Sequence, residues 1–167
     1  MGSGGGSFII REAIAHPERN YLGVEPAGAY FYYMKSRLAK RGLANVRICR
    51  TDAADLIASV FPPECVFEYH IYHPDPWPKK RHRKRRLFTP AFCRDLERTL
   101  RPDGVLFFQT DHEEYYAELL PLLRALLEVR EHPEPWPDAP LGRTNFEIKY
   151  LREGRKVYRL VANRRKA

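Results

Sequence analysis

Val105-Leu106-Phe107-Phe108-Gln109-Thr110-Asp111 is a near-continuous apolar run that stops on a carboxylate. A strand with one solvated face alternates apolar and polar residues. A strand covered on both faces is apolar at almost every position, the pattern of a parallel sheet flanked by helices. Outward from this run the same signature recurs. Residues 20–25 read as a buried strand ending in Glu25, Val46–Cys49 as a short strand followed by Thr51-Asp52-Ala53, and 65–72 as a strand that leads to Asp75. Helical spacing separates them. One helix begins at Phe8-Ile9-Ile10, and a second, 29–41, stops at Gly42 with Tyr30, Tyr33, Met34 and Leu38 on its expected inner face. Further helices are predicted over 54–61, over 91–100 with Thr89-Pro90 as its cap, and over 113–127. Arg101-Pro102-Asp103-Gly104 reads as a turn and 132–141 as a proline-rich loop. Residues 144–147 and 156–163 read as two antiparallel strands joined around Glu153-Gly154. This alternation predicts one α/β domain over 1–167, with a mostly parallel sheet closed by an antiparallel C-terminal hairpin.

In open sheets of this kind ligands collect at the carboxyl ends of the strands. Glu25, Asp52, Asp75 and Asp111 each follow a predicted strand, a coincidence that chance capping explains poorly. Helix capping alone remains an alternative for Asp52 and Asp111. Gly2-Ser3-Gly4-Gly5-Gly6-Ser7 has the composition of a linker. It nevertheless leads straight into a helix, where a glycine turn lets a ligand approach free backbone N–H groups. Glu25 lies at the separation at which nucleotide-binding units place an acid on the ribose hydroxyls.

After the strand at 65–72 comes Pro74-Asp75-Pro76-Trp77-Pro78, a carboxylate and an indole among three prolines, expected to form a stiff loop. Seven cations in eight residues follow, Lys79-Lys80-Arg81-His82-Arg83-Lys84-Arg85-Arg86, with only His82 uncharged. The chain has a formal charge of +8, and without those seven it would have +1, so its basicity is local. A solvated loop or a localisation signal is the plain alternative. The position of the run, between a proline-locked turn and an amphipathic helix, favours contact with a nucleic-acid backbone. Lys79, Lys80, Lys84 and Arg86 are the expected phosphate contacts.

Apolar residues make up 44% and charged residues 30%, the balance of a globular protein. No apolar run approaches the roughly 20 residues that span a bilayer, and the glycine-rich start is not built like a signal peptide. Cys49, Cys65 and Cys93 are odd in number and far apart, an arrangement suited to neither disulfides nor structural zinc. His70 and His73, three apart on an extended segment, face opposite ways and make a poor metal pair.

The motif Pro74-Asp75-Pro76-Trp77-Pro78-Lys79-Lys80-Arg81-His82 with Lys84-Arg85-Arg86 behind it resembles the tRNA (guanine-N7-)-methyltransferase family. The single-chain bacterial type, within the class I S-adenosylmethionine-dependent methyltransferases, is the form it resembles. Gly23-Val24-Glu25, Asp52-Ala53, Thr110-Asp111 and Thr144-Asn145-Phe146-Glu147 support the resemblance, which extends from the glycine loop to Arg164. It implies a Rossmann-like fold, S-adenosylmethionine as donor, no metal, and methylation of guanine 46 in the tRNA variable loop. The cysteine usage suits a reducing cytoplasm, and the chain is expected to act there with tRNA as partner, no membrane attachment and no obligate protein partner, as a monomer or weak homodimer. Carried over by position, Gly4 and Gly6 approach the methionine part of the donor, Glu25 its ribose, and Asp52 with Ala53 its adenine. Asp75 and Asp111 face the reacting centre, and Lys79, His82 and Arg85 the substrate. Thr144, Asn145, Phe146 and Glu147 meet the tRNA or its target base. The family places a strand ending in Glu-x-Gly-x-Gly-x-Gly before the glycine loop, so the chain is expected to be N-terminally truncated relative to the family, with its first strand missing. Two other readings stay open: a methyltransferase acting on an exocyclic base amine, and an inactive or truncated RNA-binding homologue.

Overall fold

In a computed structural model, which describes residues 1–139 and 142–165, the run from Val105 is the end of a long inner strand of a four-stranded sheet. Pro140, Leu141, Lys166 and Ala167 lie outside the described residues, and with them the end of the expected loop over 132–141. The chain forms two compact units, Met1–Leu56 and Ile57–Ala167.

The first unit contains helix α1 (Ser7–Ala15), strand β1 (Tyr21–Val24), helix α2 (Gly28–Ala39), strand β2 (Val46–Cys49) and the start of helix α3 (Ala53–Val60). β1 and β2 pair in parallel, from Tyr21 opposite Val46 to Val24 opposite Cys49. Ile9, Ile10 and Ala13 of α1 and Met34 and Leu38 of α2 recur at helical spacing, and together with Val46 they form the core of this unit. Tyr30 and Tyr33, expected on the inner face, are instead more than half exposed. The packed stripe of α2 consists of Met34 and Leu38. Tyr30 continues its line one turn before the packed part, and Tyr33 points about 100° away from Met34.

The second unit runs through β3 (Val66–Tyr72), a 3-10 helix (Lys80–Arg85), α4 (Pro90–Thr99), β4 (Leu100–Thr110), α5 (Glu113–Leu126), β5 (Leu127–Glu131), α6 (Asn145–Arg152) and β6 (Tyr158–Arg164). Its sheet has the order β3-β4-β6-β5, with β3 parallel to β4, and β6 antiparallel to both β4 and β5. Thr89 caps α4 as expected, its Oγ1 accepting from Phe92 N at 3.2 Å with proline in the first turn. Phe88, Phe92 and Leu96 are buried, as are Leu106 and Phe108 of β4, Leu119 and Leu123 of α5, and Leu160 of β6. Each such side chain contributes roughly 1.5–3 kcal/mol of burial free energy.

Four expectations change. Residues 145–152 form a helix and not a strand, so β6 takes its antiparallel partners from β4 and β5. The basic run is a 3-10 helix and not a loop. Residues 101–104 form a bulge within the β3–β4 ladder, which steps from Val66 opposite Leu100 to Glu68 opposite Val105. The cap of α5 is His112, whose Nδ1 accepts from Tyr115 N at 3.3 Å, and this releases Asp111 from that role.

Candidate functional site

In the first unit the glycine segment turns into α1 through three left-handed residues, Gly2 at φ 64°, Gly4 at φ 51° and Gly6 at φ 76°. A Cβ on Gly6 would lie 2.7 Å from Cγ of Met34, so packing excludes any larger residue there, whereas a Cβ on Gly4 would meet nothing within 4 Å. Glu25 follows β1 directly, its N bonded to Cys49 O at 3.0 Å. Its carboxylate is buried. Oε2 accepts from Gly4 N at 2.7 Å and Oε1 from Ala27 N at 2.9 Å. A carboxylate has about four acceptor positions; these two donors fill two of them, and the Met1 ammonium interacts with the same charge. Asp52 is exposed and caps α3, its Oδ1 accepting from Ala54 N at 2.8 Å and Asp55 N at 3.3 Å, and Ala53 behind it is buried. Buried glutamate acceptors beside an open glycine backbone fit the ribose and chain of an adenosyl donor.

In the second unit the proline loop is bracketed by two non-glycine residues in the left-handed region, His73 at φ 48° and Trp77 at φ 42°. Such residues cost of order 1–3 kcal/mol each and persist only where the surroundings hold them. The loop is held by Arg86. This side chain, expected at the phosphates, is buried, its Nε donating to Pro76 O at 2.7 Å, its Nη1 paired with Glu118, and its guanidinium 5.0 Å over the Tyr115 ring. Arg83 pairs with Glu118 at 3.0 Å and with Glu114. Two of the seven cations are thereby bound internally to α5. Lys79, Lys80, Arg81, Lys84 and Arg85 are exposed and have no acidic partner among the described residues. Trp77 gathers the other two candidates, with the His82 ring edge-on at 5.8 Å and the Arg85 guanidinium 5.0 Å over its face. Asp75 is exposed, with no hydrogen bond or ion pair to its carboxylate among the described residues.

Asp111, at the end of β4, is partly exposed. Its Oδ2 accepts from Arg155 Nη1 at 3.1 Å, and its Oδ1 lies 3.5 Å from Nδ1 of His73. Burial pushes His73 below the usual histidine value, opposed by the Asp111 charge. The ring of His73 packs against Phe146 and Tyr150 of α6 at 6.3 and 5.3 Å. Thr144 caps α6, its Oγ1 accepting from Glu147 N at 3.1 Å, while Asn145 and Phe146 are exposed. Glu147 corrects the expectation that it meets tRNA or base. It has no exposed surface, and its carboxylate takes four bonds: from Nε and Nη2 of Arg159 at 2.9 and 2.7 Å, from Gln109 Nε2 at 3.0 Å and from Arg143 N at 2.7 Å. A saturated acceptor inside the protein anchors α6 to the sheet. Sequence reading does not single out Gln109, Arg143 or Arg159, because nothing local marks them. The sequence marks His73 only through its spacing from His70, and among the described residues no three His, Cys, Asp or Glu side chains are grouped to hold a metal.

Residues 1–160 match a family profile described as "Putative methyltransferase". A tRNA (guanine-N(7)-)-methyltransferase of Alkalilimnicola ehrlichii is 36% identical over 168 residues, covering 99% of this chain and 71% of the relative. The protein of the same name in Bordetella parapertussis is 36% identical over 166 residues, covering 98% and 65%. The chain therefore spans 65–71% of the length of these two relatives. Among solved structures, a SAM dependent methyltransferase from Aquifex aeolicus superposes with a TM-score of 0.64 at 13% identity, covering 96% of this chain and 78% of that one. At that identity the likeness shows the fold, a class I methyltransferase α/β architecture.

Proposed function

The chain belongs to the tRNA (guanine-N(7)-)-methyltransferase family, and from that premise we propose that it methylates N7 of guanine 46 in the variable loop of tRNA, with S-adenosylmethionine as donor. The family profile crosses both compact units, which supports one methyltransferase domain. No helix among the described residues is long and apolar enough to cross a membrane, and a cytoplasmic setting follows from tRNA as substrate.

The observation that carries this reading is the segment from Pro74 to Arg86. It presents a carboxylate with no partner among the described residues and a Trp77–His82–Arg85 cluster beside exposed cations, all fastened by Arg86. Cations without acidic partners suit phosphates, and a guanidinium on an indole suits a base or a phosphate held in a fixed plane.

The chemistry needs little beyond this. Guanine N7 carries an in-plane lone pair and no proton, so no general base precedes attack. When bound, S-adenosylmethionine supplies an electrophilic methyl. Glu25 holds the ribose, the Gly4–Gly6 backbone borders the methionine chain, and Asp52 with Ala53 borders the adenine. Asp75 and Asp111 receive N1–H and N2–H of the guanine and balance the positive charge that develops on the purine. Lys79, His82 and Arg85 hold the tRNA beside the loop, and exposed Asn145 and Phe146 border the base. Alignment of this kind is worth roughly 7–11 kcal/mol of the barrier.

The test is product mapping. Incubated with a tRNA transcript and donor, the protein should make one variable-loop guanine labile to borohydride reduction and aniline cleavage. A methyl group that resists this treatment would transfer the reading to exocyclic-amine chemistry. Retained tRNA binding with no donor binding would leave an RNA-binding homologue.

A further inference from the structure

We propose that His73 is the positioning residue for Asp111: a buried chain of fixed polarity holds its imidazole in the Nδ1–H tautomer, aims that N–H at the Asp111 carboxylate, and so sets the orientation in which the carboxylate meets the target guanine. The proposal rests on the reading of Asp111 as facing the target base.

The tautomer follows from the ends of the chain. An indole N–H only donates, and Nε1 of Trp136 lies 2.5 Å from Oε1 of Gln109, which fixes the direction of that amide. The Gln109 NH2 therefore faces the other way, where Glu147 Oε2, which only accepts, stands 3.0 Å from it. The same nitrogen is 3.2 Å from Nε2 of His73. A donor faces that ring nitrogen, so Nε2 accepts and the proton resides on Nδ1. Trp136, Gln109 and Glu147 are essentially without exposed surface, so water does not compete for these bonds. Nδ1 of His73 is buried, has no formed hydrogen bond among the described residues, and has Asp111 Oδ1 before it at 3.5 Å. That separation is long for N–H···O, as is common in catalytic pairs before the reacting complex tightens them. His73 is also clamped through its backbone, with its N bonded to Gln109 O at 2.8 Å and its φ in the left-handed region.

Protonation breaks the arrangement. A second N–H at Nε2 would face the Gln109 NH2, donor against donor, while the imidazolium would draw the Asp111 carboxylate into an ion pair. The charged or titratable groups facing the ring are Asp111 at the end of β4, Glu147 and Tyr150 of α6, and Arg159 of β6, with Arg155 on the far side of Asp111. Burial outweighs the acids among them and lowers the histidine. Turnover should therefore fall as pH drops below the ordinary histidine range.

Two variants and one spectrum test this. Asn tolerates left-handed φ, carries an amide N–H near the place of Nδ1, and does not titrate. His73→Phe should lower kcat at saturating tRNA and donor by roughly 10- to 100-fold with little change in KM. His73→Asn should recover most of that loss and should lack the acid limb assigned to His73. An acid limb that persists in His73→Asn, or a folded His73→Phe with normal kcat, overturns the proposal. In parallel, 15N-histidine spectra should show His73 as the Nδ1–H tautomer, with a resonance that moves in Asp111→Asn. An Nε2–H tautomer overturns the proposal whatever the activity. If the wild type forms no N7-methylguanine while the tautomer and its response to Asp111→Asn are found, the functional reading has failed and the link between His73 and Asp111 stands.

Discussion

Glu25 and Glu147 are both buried glutamates, and the difference between them is a count of donors. Among the described residues Glu25 receives two backbone N–H bonds, with the Met1 ammonium acting on the same charge, while Glu147 receives four bonds, which fill its acceptor positions. The first has fewer donors than a carboxylate can take, and the second is part of the scaffold. Replacing Glu147 by Ala leaves Arg159 buried and unpaired, which costs about 3–5 kcal/mol and should appear as a lower urea midpoint. Arg159→Met combined with Glu147→Leu should recover part of that loss, because removing both charges removes the unpaired one. A midpoint unchanged in Glu147→Ala would show that the pair does not hold α6 to the sheet. Glu25 was legible in the sequence because a strand led into it. The saturation of Glu147 was not, because its partners Gln109 and Arg159 come from two other strands.

At the scale of elements, the sequence announced helices and strands where local chemistry and tertiary demand agree, as at Thr89-Pro90 before α4 and in the apolar run of β4. It misled where they diverge. The leucines of α5 run on into Leu127 without a break in pattern, yet the chain becomes β5 there and pairs with β6. The signal for α6 was present, since Thr144 and Glu147 have the spacing of a capping box. Here the glutamate reaches back to Arg143 N, one residue before the cap. The basic 3-10 helix shows the same limit, because a count of charge cannot separate contacts from struts. Lys79, Lys80, Arg81 and Lys84 have no acidic partners among the described residues, whereas Arg83 and Arg86 are paired with α5. Replacing those four by Ala should flatten the slope of log tRNA affinity against log salt by roughly 3, at about 0.7–0.9 per phosphate, and should leave thermal stability nearly unchanged. Arg86→Ala should do the reverse, loosening the Pro74–Pro78 loop and lowering stability. An unchanged slope in the quadruple variant would move the tRNA surface away from this helix, toward the basic segment after Arg152, whose Lys166 lies outside the described residues.

At the scale of the whole molecule, the proposed donor residues fall in Met1–Leu56 and the proposed target residues in Ile57–Ala167, so the two functions can be separated by linkage. A ligand that binds only the folded chain stabilises it by about 2.7 kcal/mol at 100 times its Kd. For a chain of this size that raises Tm by roughly 5–11 °C. S-adenosylmethionine should produce such a shift with no tRNA present. Glu25→Gln puts an amide where the proposed ribose site needs a carboxylate, so it should shrink the shift at a fixed donor concentration and leave tRNA affinity near normal. Asp75→Asn alters an exposed side chain with no partner among the described residues, so it should leave the shift whole and depress single-turnover methylation. If Asp75→Asn reduced the donor shift as much as Glu25→Gln did, Asp75 would belong with the donor residues. If donor moved the wild-type Tm not at all, the fit of Glu25 and the glycine backbone to an adenosyl group would be wrong, whatever the chain does with RNA.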